Sequence, residues 1–164
     1  MKNESVPVEL VGVRIELPSN TPIALLRELG GDRYLPIWIG AGEATAIALA
    51  LEGVEPQRPL THDLLTSIVE RLDATVDRVV VTELRDGVYY ADLVLRRGGE
   101  EFVVSSRPSD AIALAVRTEA PISVFPGVLD EAGVEIRDEE EEEAVARFRS
   151  FLDSVNPEDF DTTG

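Results

Sequence analysis

A chain of 164 residues, 44% of them apolar, has material for one core and is too apolar to be disordered throughout. Its 32 acids against 15 bases give a net charge of −17, and residues 130–164 alone hold 13 acids and 3 bases. A broad basic nucleic-acid platform and attraction to anionic membrane are excluded, while a local basic pocket remains allowed. The absence of cysteine removes disulfides, thiolate nucleophiles and cysteine zinc sites.

Val6–Leu17 reads as a strand, with Val11, Val13, Ile15 and Leu17 alternating on one face. Turn chemistry at Pro18–Pro22 leads to a second strand, Ile23–Leu29, and Gly30-Gly31-Asp32 leads to a third, Tyr34–Ile39. Gly40-Ala41-Gly42 opens a helix over Glu43–Leu51. Thr61 is the expected N-cap of a helix over His62–Asp73, whose stripe of Leu65, Ile68, Val69 and Leu72 has core-facing spacing. Val76–Leu84 and Val88–Arg96 flank the hairpin signal Asp86-Gly87, and Gly98-Gly99 turns into Glu101–Ser105. A helix over Ser106–Thr118, with Pro108 in its first turn, a short strand Ile122–Phe125 and an acidic helix Glu139–Val155 complete the order.

Each half thus runs through a three-strand meander and then a helix, and both helices contain Ala-Ile-Ala-Leu-Ala, at 46–50 and 111–115. An internal duplication offset by 65 residues explains this, and so does convergence of two buried alanine-rich helices. The expected class is α+β: two β-meander-plus-helix halves in one compact domain, residues 1–137, followed by an acidic C-terminal helix and tail, residues 138–164. No N-terminal signal pattern and no bilayer-length apolar run is present, so a cytoplasmic protein without membrane contact is expected. The apolar strand residues Ile37, Trp38, Ile39, Tyr89 and Tyr90 suggest a homo-oligomer.

Three constellations carry polar chemistry. Gly40-x-Gly42 lies between strand and helix, but Thr45 stands where a dinucleotide fingerprint needs glycine, which favours a tight turn. Thr61-His62-Asp63 holds the chain's single histidine. Its local reading is capping and packing; its functional reading is an imidazole that moves a proton or binds metal beside Asp63. In Ser106-Arg107-Pro108-Ser109-Asp110, a helix start and Arg107 suit an anion, whereas the local reading is an Arg107–Asp110 pair. Glu43, Glu52 and Asp92 are further carboxylates.

The segments Tyr34–Gly40 (YLPIWIG), Glu43–Leu49 (EATAIAL), Arg58–Leu65 (RPLTHDLL), Asp86–Ala91 (DGVYYA) and Ser106–Ile122 (SRPSDAIALAVRTEAPI) resemble the bifunctional nuclease family over about residues 6–130. The resemblance implies a compact α+β domain and nuclease activity on DNA and RNA. Plant members share the core but differ in their C-terminal extension, which here is replaced by the acidic segment. On the matching positions, His62, Asp63, Arg107, Ser109 and Asp110 are the catalytic candidates, with His62 as acid or base and Arg107 as phosphate clamp. Glu43, Asp63 and Asp110 are the metal-ligand candidates, and oxygen-rich ligands suit Mg²⁺ or Mn²⁺ better than zinc. No organic cofactor is expected. The competing classes are a non-catalytic ligand-binding or regulatory module that oligomerises, and a structural oligomer whose polar motifs are only caps and turns. The run Asp138–Glu143 suits a helix N-terminus, and a second reading makes it a mimic of nucleic-acid phosphate.

Overall fold

The computed structural model describes residues 4–136, together with the single position 150. The chain divides into two units, Met1–Val134 and Glu135–Gly164. The first carries the fold and the site described below. The expected acidic helix and its run of glutamates lie outside the described residues.

The elements follow the sequence pattern closely. Strands β1 (Val6–Glu16), β2 (Thr21–Glu28) and β3 (Arg33–Trp38) precede helices α1 (Ala41–Leu51) and α2 (Thr61–Arg71). Strands β4 (Thr75–Arg85), β5 (Val88–Arg97) and β6 (Glu100–Ser106) precede α3 (Pro108–Thr118), and β7 (Ile122–Val124), α4 (Pro126–Ala132) and β8 (Val134–Glu135) follow. The sequence reading missed α4 because Pro126-Gly127 looks like a breaker. Proline at the first helical position instead starts a helix, since the N–H it lacks has no partner there anyway.

The eight strands among the described residues form one mixed sheet in the order β6-β5-β4-β7-β1-β2-β3-β8. β7 lies between the two meanders, parallel to β4 and antiparallel to β1. The meanders therefore run outward from the centre in the same strand order but opposite directions, as twofold-related halves would. That is the order and direction an internal duplication requires.

One face of the sheet builds the core. The paired rows Leu93–Val79–Ile122–Val8 and Ala91–Val81–Val124–Val6 run across four strands, and Ala24–Ile37 and Leu26–Leu35 continue the layer on β2 and β3. Ile47 of α1 and Ile112 of α3 are fully buried against this layer, and each such side chain contributes about 1.5–3 kcal/mol. The two helices pack on each other, and their shared pentapeptides supply small side chains where close approach is needed. The sheet is curled: the Tyr89 hydroxyl of β5 reaches the Pro36 carbonyl of β3 at 3.4 Å, and α4 touches both β3 and β4.

Three expectations need correction. Around β1, Val11, Ile15 and Leu17 are exposed: a bulge between Leu10 and Gly12 leaves Val11 out of the ladder and turns Val13 to the core opposite Ala24, while Ile15 and Leu17 lie at and beyond the strand's end. In α2 the stripe at Leu65, Ile68 and Leu72 is exposed, with Val69 only half-buried, and His62 is the helix's buried residue. The spacing identified a common side of the helix, but among the described residues no layer covers that side. Ile37 and Ile39 are buried within the domain, and Tyr89 and Tyr90 are half-buried. Of the five residues expected to drive self-association, only Trp38 is exposed, and its indole N–H donates to Glu16 Oε2 at 2.7 Å.

Candidate functional site

Three helix starts converge on one cleft of about 750 Å³ between α2 and the β5–β6 strands. Helix N-termini present unpaired N–H groups and the positive end of the helix dipole, so polar and anionic groups gather there. α1 brings Glu43, α2 brings His62, and α3 brings Arg107 at its N-cap and Asp110 in its first turn. Gly40 makes room for this arrangement, since a β-carbon there would run into the Glu43 carboxylate. The other wall is apolar: Leu65 and Val69 of α2 face Leu93, Leu95 and Val104.

The polar residues form a chain of contacts. His62 Nε2 lies 2.9 Å from Asp110 Oδ1, Arg107 Nε donates to Asp110 Oδ2 at 2.8 Å, and Arg107 Nη2 donates to Glu43 Oε1 at 2.9 Å. An ionised carboxylate only accepts, so the neutral imidazole opposite Asp110 is the Nε2–H tautomer, with its lone pair on Nδ1. Burial alone pushes the Asp110 carboxyl up, but the hydrogen bonds from Arg107 and His62 outweigh it and hold the carboxyl below its ordinary range. Asp110 likewise pushes Arg107 further up, with Glu43 adding to the effect. Asp110 is therefore an anion at neutral pH, and Arg107 a cation shared between two carboxylates.

The remaining candidates lie elsewhere. Asp63 is on α2 but belongs to a different cluster: Arg117 Nε donates to Asp63 Oδ1 at 2.7 Å, and the Leu60 N–H donates to Oδ2 at 2.9 Å. These bonds hold the Asp63 carboxyl below its ordinary value, Arg117 having the larger effect. Asp63 lines a separate 230 Å³ hollow with Arg117, Leu60 and Pro56. Leu60, not Thr61, is the N-cap, and the Asp63 carboxylate binds its N–H in place of a capping side chain. Ser109 is buried in the first turn of α3, away from the cleft wall.

Glu43, Asp63 and Asp110, expected to ligate a metal, are not gathered on one centre. Asp63 is committed to Arg117, and the Arg107 guanidinium bonds both Glu43 and Asp110 where a bound cation would be needed. Among the described residues, no three His, Cys, Asp or Glu side chains converge as a metal site requires. The arrangement does not fit a carboxylate-bound metal, and no chemical step is assigned to one.

Arg117 was not singled out in the sequence, although it stands within the Ser106–Ile122 segment. Its guanidinium also donates to the Ala113 and Ala46 carbonyls, at 2.8 and 3.0 Å, so one side chain of α3 fastens both α1 and α2. A usable signal was its place ten residues after Arg107, which puts it in the last turn of the same helix, where a cation is favoured. Among the described residues, no helix is long and apolar enough to cross a membrane.

Comparison with known proteins agrees with the motifs. The bifunctional nuclease domain matches residues 24–137. "Uncharacterized protein Rv1829" of Mycobacterium tuberculosis is 49% identical over 164 residues, covering 95% of this chain and 98% of that protein. "Bifunctional nuclease 1" of Oryza sativa subsp. indica is 34% identical over 62% of this chain and 32% of its own length. "Bifunctional nuclease 2" of Arabidopsis thaliana is 32% identical over 66% of this chain and 35% of its own. The matched region spans about a third of those plant proteins. The chain belongs to the bifunctional nuclease domain family.

Proposed function

We propose that the protein hydrolyses phosphodiester bonds of DNA and RNA in the cleft at the three helix starts. The observation that carries this reading is the continuous contact chain His62–Asp110–Arg107–Glu43 on the wall of an open cleft. Phosphodiester hydrolysis needs an activated water, stabilisation of the charge developing on phosphorus, and a proton for the leaving oxygen. Asp110 holds His62 in the tautomer that leaves Nδ1 to take a proton from water and then give it to the leaving oxygen. Arg107 is two-thirds exposed and exchanges its Glu43 contact for a phosphate oxygen, with the α3 N-terminus behind it. Asp63 and Ser109 act through the fold, the first by fixing α2 and the second by packing α3.

The names of the plant relatives support the same class of reaction. The test is cleavage of labelled DNA and RNA by highly purified protein with Mg²⁺, Mn²⁺ or chelator, beside His62→Ala and Arg107→Ala. Loss in both variants is expected, and the chelator arm reads the metal requirement directly. Cleavage that persists unchanged in both variants points to a contaminant or to another site and ends the proposal.

A second reading has its own observation. Among the described residues the cleft holds a single arginine, already shared between two carboxylates, and its opposite wall is aliphatic. That lining suits a small ligand with an apolar body and a polar head, bound without turnover. Purified protein that is stabilised by such a ligand but cleaves neither nucleic acid favours this reading over hydrolysis.

A further inference from the structure

We infer that β6 is a self-complementary edge strand on which a second copy of this chain pairs antiparallel, joining two sheets into one. β6 ends the sheet, so among the described residues one side of its backbone has no neighbouring strand. Beyond the two glutamates at its start, it has few of the usual protections of an edge. Its pairing with β5 runs from Arg97–Glu100 to Ala91–Ser106 without a register shift, whereas the β4–β5 ladder has two. The strand contains no proline and no lysine, and Phe102, Val103 and Val104 are all exposed at its middle.

The order of side chains selects the partner. In Glu100-Glu101-Phe102-Val103-Val104-Ser105-Ser106, antiparallel pairing about a dyad at Val103 sets Phe102 opposite Val104, Glu101 opposite Ser105 and Glu100 opposite Ser106. The apolar residues meet each other, and no glutamate faces a glutamate. Parallel pairing in register would stack like charges directly, which is destabilising. Charge complementarity continues past the strand. Ser106 precedes Arg107, so the second copy's Glu100 arrives beside an exposed cation.

The pairing also bears on the cleft. Val104, Ser105 and Ser106 are part of its wall, and the dyad of an antiparallel strand pair stands normal to the sheet. Both clefts therefore open on the same face of the joined sheet, on either side of the dyad, with the exposed α2 stripes along their rims. This places self-association at a different surface from the Ile37–Ile39 and Tyr89–Tyr90 residues that the sequence suggested.

Val103 is more than half exposed, so charged side chains are accommodated there in the single copy. Sedimentation velocity on the full chain at micromolar concentration should show a dimer. Val103→Lys loses an apolar pair and places lysine opposite lysine, which should weaken the dimer by roughly tenfold, and Val103→Glu should do the same. Mixing the two variants sets opposite charges across the dyad and should restore a dimer containing one of each. Thermal unfolding of each variant, matched to the parent at low concentration, establishes that the fold is intact. Because the parent has no cysteine, Val103→Cys should also give a disulfide-linked or bismaleimide-linked dimer, while Ser19→Cys should not. A parent that stays monomeric overturns the inference. So does a Val103→Lys variant that dimerises like the parent, or a mixture that fails to associate.

Discussion

His62 and Asp110 meet at 2.9 Å although 48 residues separate them in the chain, because the first turns of α2 and α3 lie side by side. The contact is sheltered, with the His62 side chain about one-tenth exposed. Asp110 accepts from His62 with one oxygen and from Arg107 with the other, so a single carboxylate orients both groups assigned to the reaction.

Asp110→Asn keeps the shape and removes the charge. The amide offers one accepting oxygen and one NH2, so it removes the charge opposite Arg107 at a cost of about 1–3 kcal/mol and favours the Nδ1–H tautomer of His62, which lacks the lone pair assigned to water. Urea unfolding should show that loss, and cleavage should fall by more than in a variant of equal stability altered away from the cleft. A variant with parental stability and parental cleavage contradicts the role of Asp110 in orienting His62.

Arg107 and Arg117 should separate activity from stability. Arg107 is 65% exposed, so its ion pairs contribute about 1 kcal/mol or less, and Arg107→Ala should unfold near the parental midpoint while losing cleavage. Arg117 is 9% exposed and fastens α3 to Asp63 and Ala46. Arg117→Ala leaves Asp63 unpaired and should cost about 2–4 kcal/mol. Equal unfolding midpoints for the two variants would defeat this division.

Acid should weaken the fold through Asp63 and Asp110. Both carboxyls are held below their ordinary value near 3.8 in the folded protein, Asp63 chiefly by Arg117, and Asp110 by Arg107 and His62 against the opposing effect of burial. The unfolded chain therefore binds these protons first as pH falls. Their stabilisation is complete above the ordinary value and is lost on descending through the folded values below it. Asp63→Asn, less stable at neutral pH, should show a shallower fall in its urea midpoint between neutrality and strong acid. Parallel profiles for variant and parent would refute the assignment.

Core and α2 stripe should respond oppositely to truncation. Ile112 is fully buried, and Ile112→Ala should cost about 2–5 kcal/mol. Ile68 on α2 and Leu72 at its C-cap are exposed, so Ile68→Ala and Leu72→Ala should each stay within about 0.5 kcal/mol of the parent. The comparison is made at low protein concentration, where association does not contribute. A large loss at Leu72 would mean that the stripe is covered in the single copy.

The sequence by itself determined the order of elements from β1 to β7, because the two-residue and 3.6-residue periods that mark strands and helices are local properties. It also carried the family motifs, and it placed Glu43, His62, Arg107 and Asp110 at helix starts, since caps and proline or glycine positions are read from neighbouring residues. Only the tertiary structure decided which of them meet. Glu43 reaches Arg107 across 64 residues, while Asp63, next to His62 in the chain, turns to Arg117. Adjacent residues on a helix point in different directions, so a shared motif does not imply a shared cleft. The same limit applies to the α2 stripe and to β1. Periodicity names the side of an element on which apolar residues fall, but covering that side takes a second layer, and a single bulge at Leu10–Gly12 re-aims the rest of the strand.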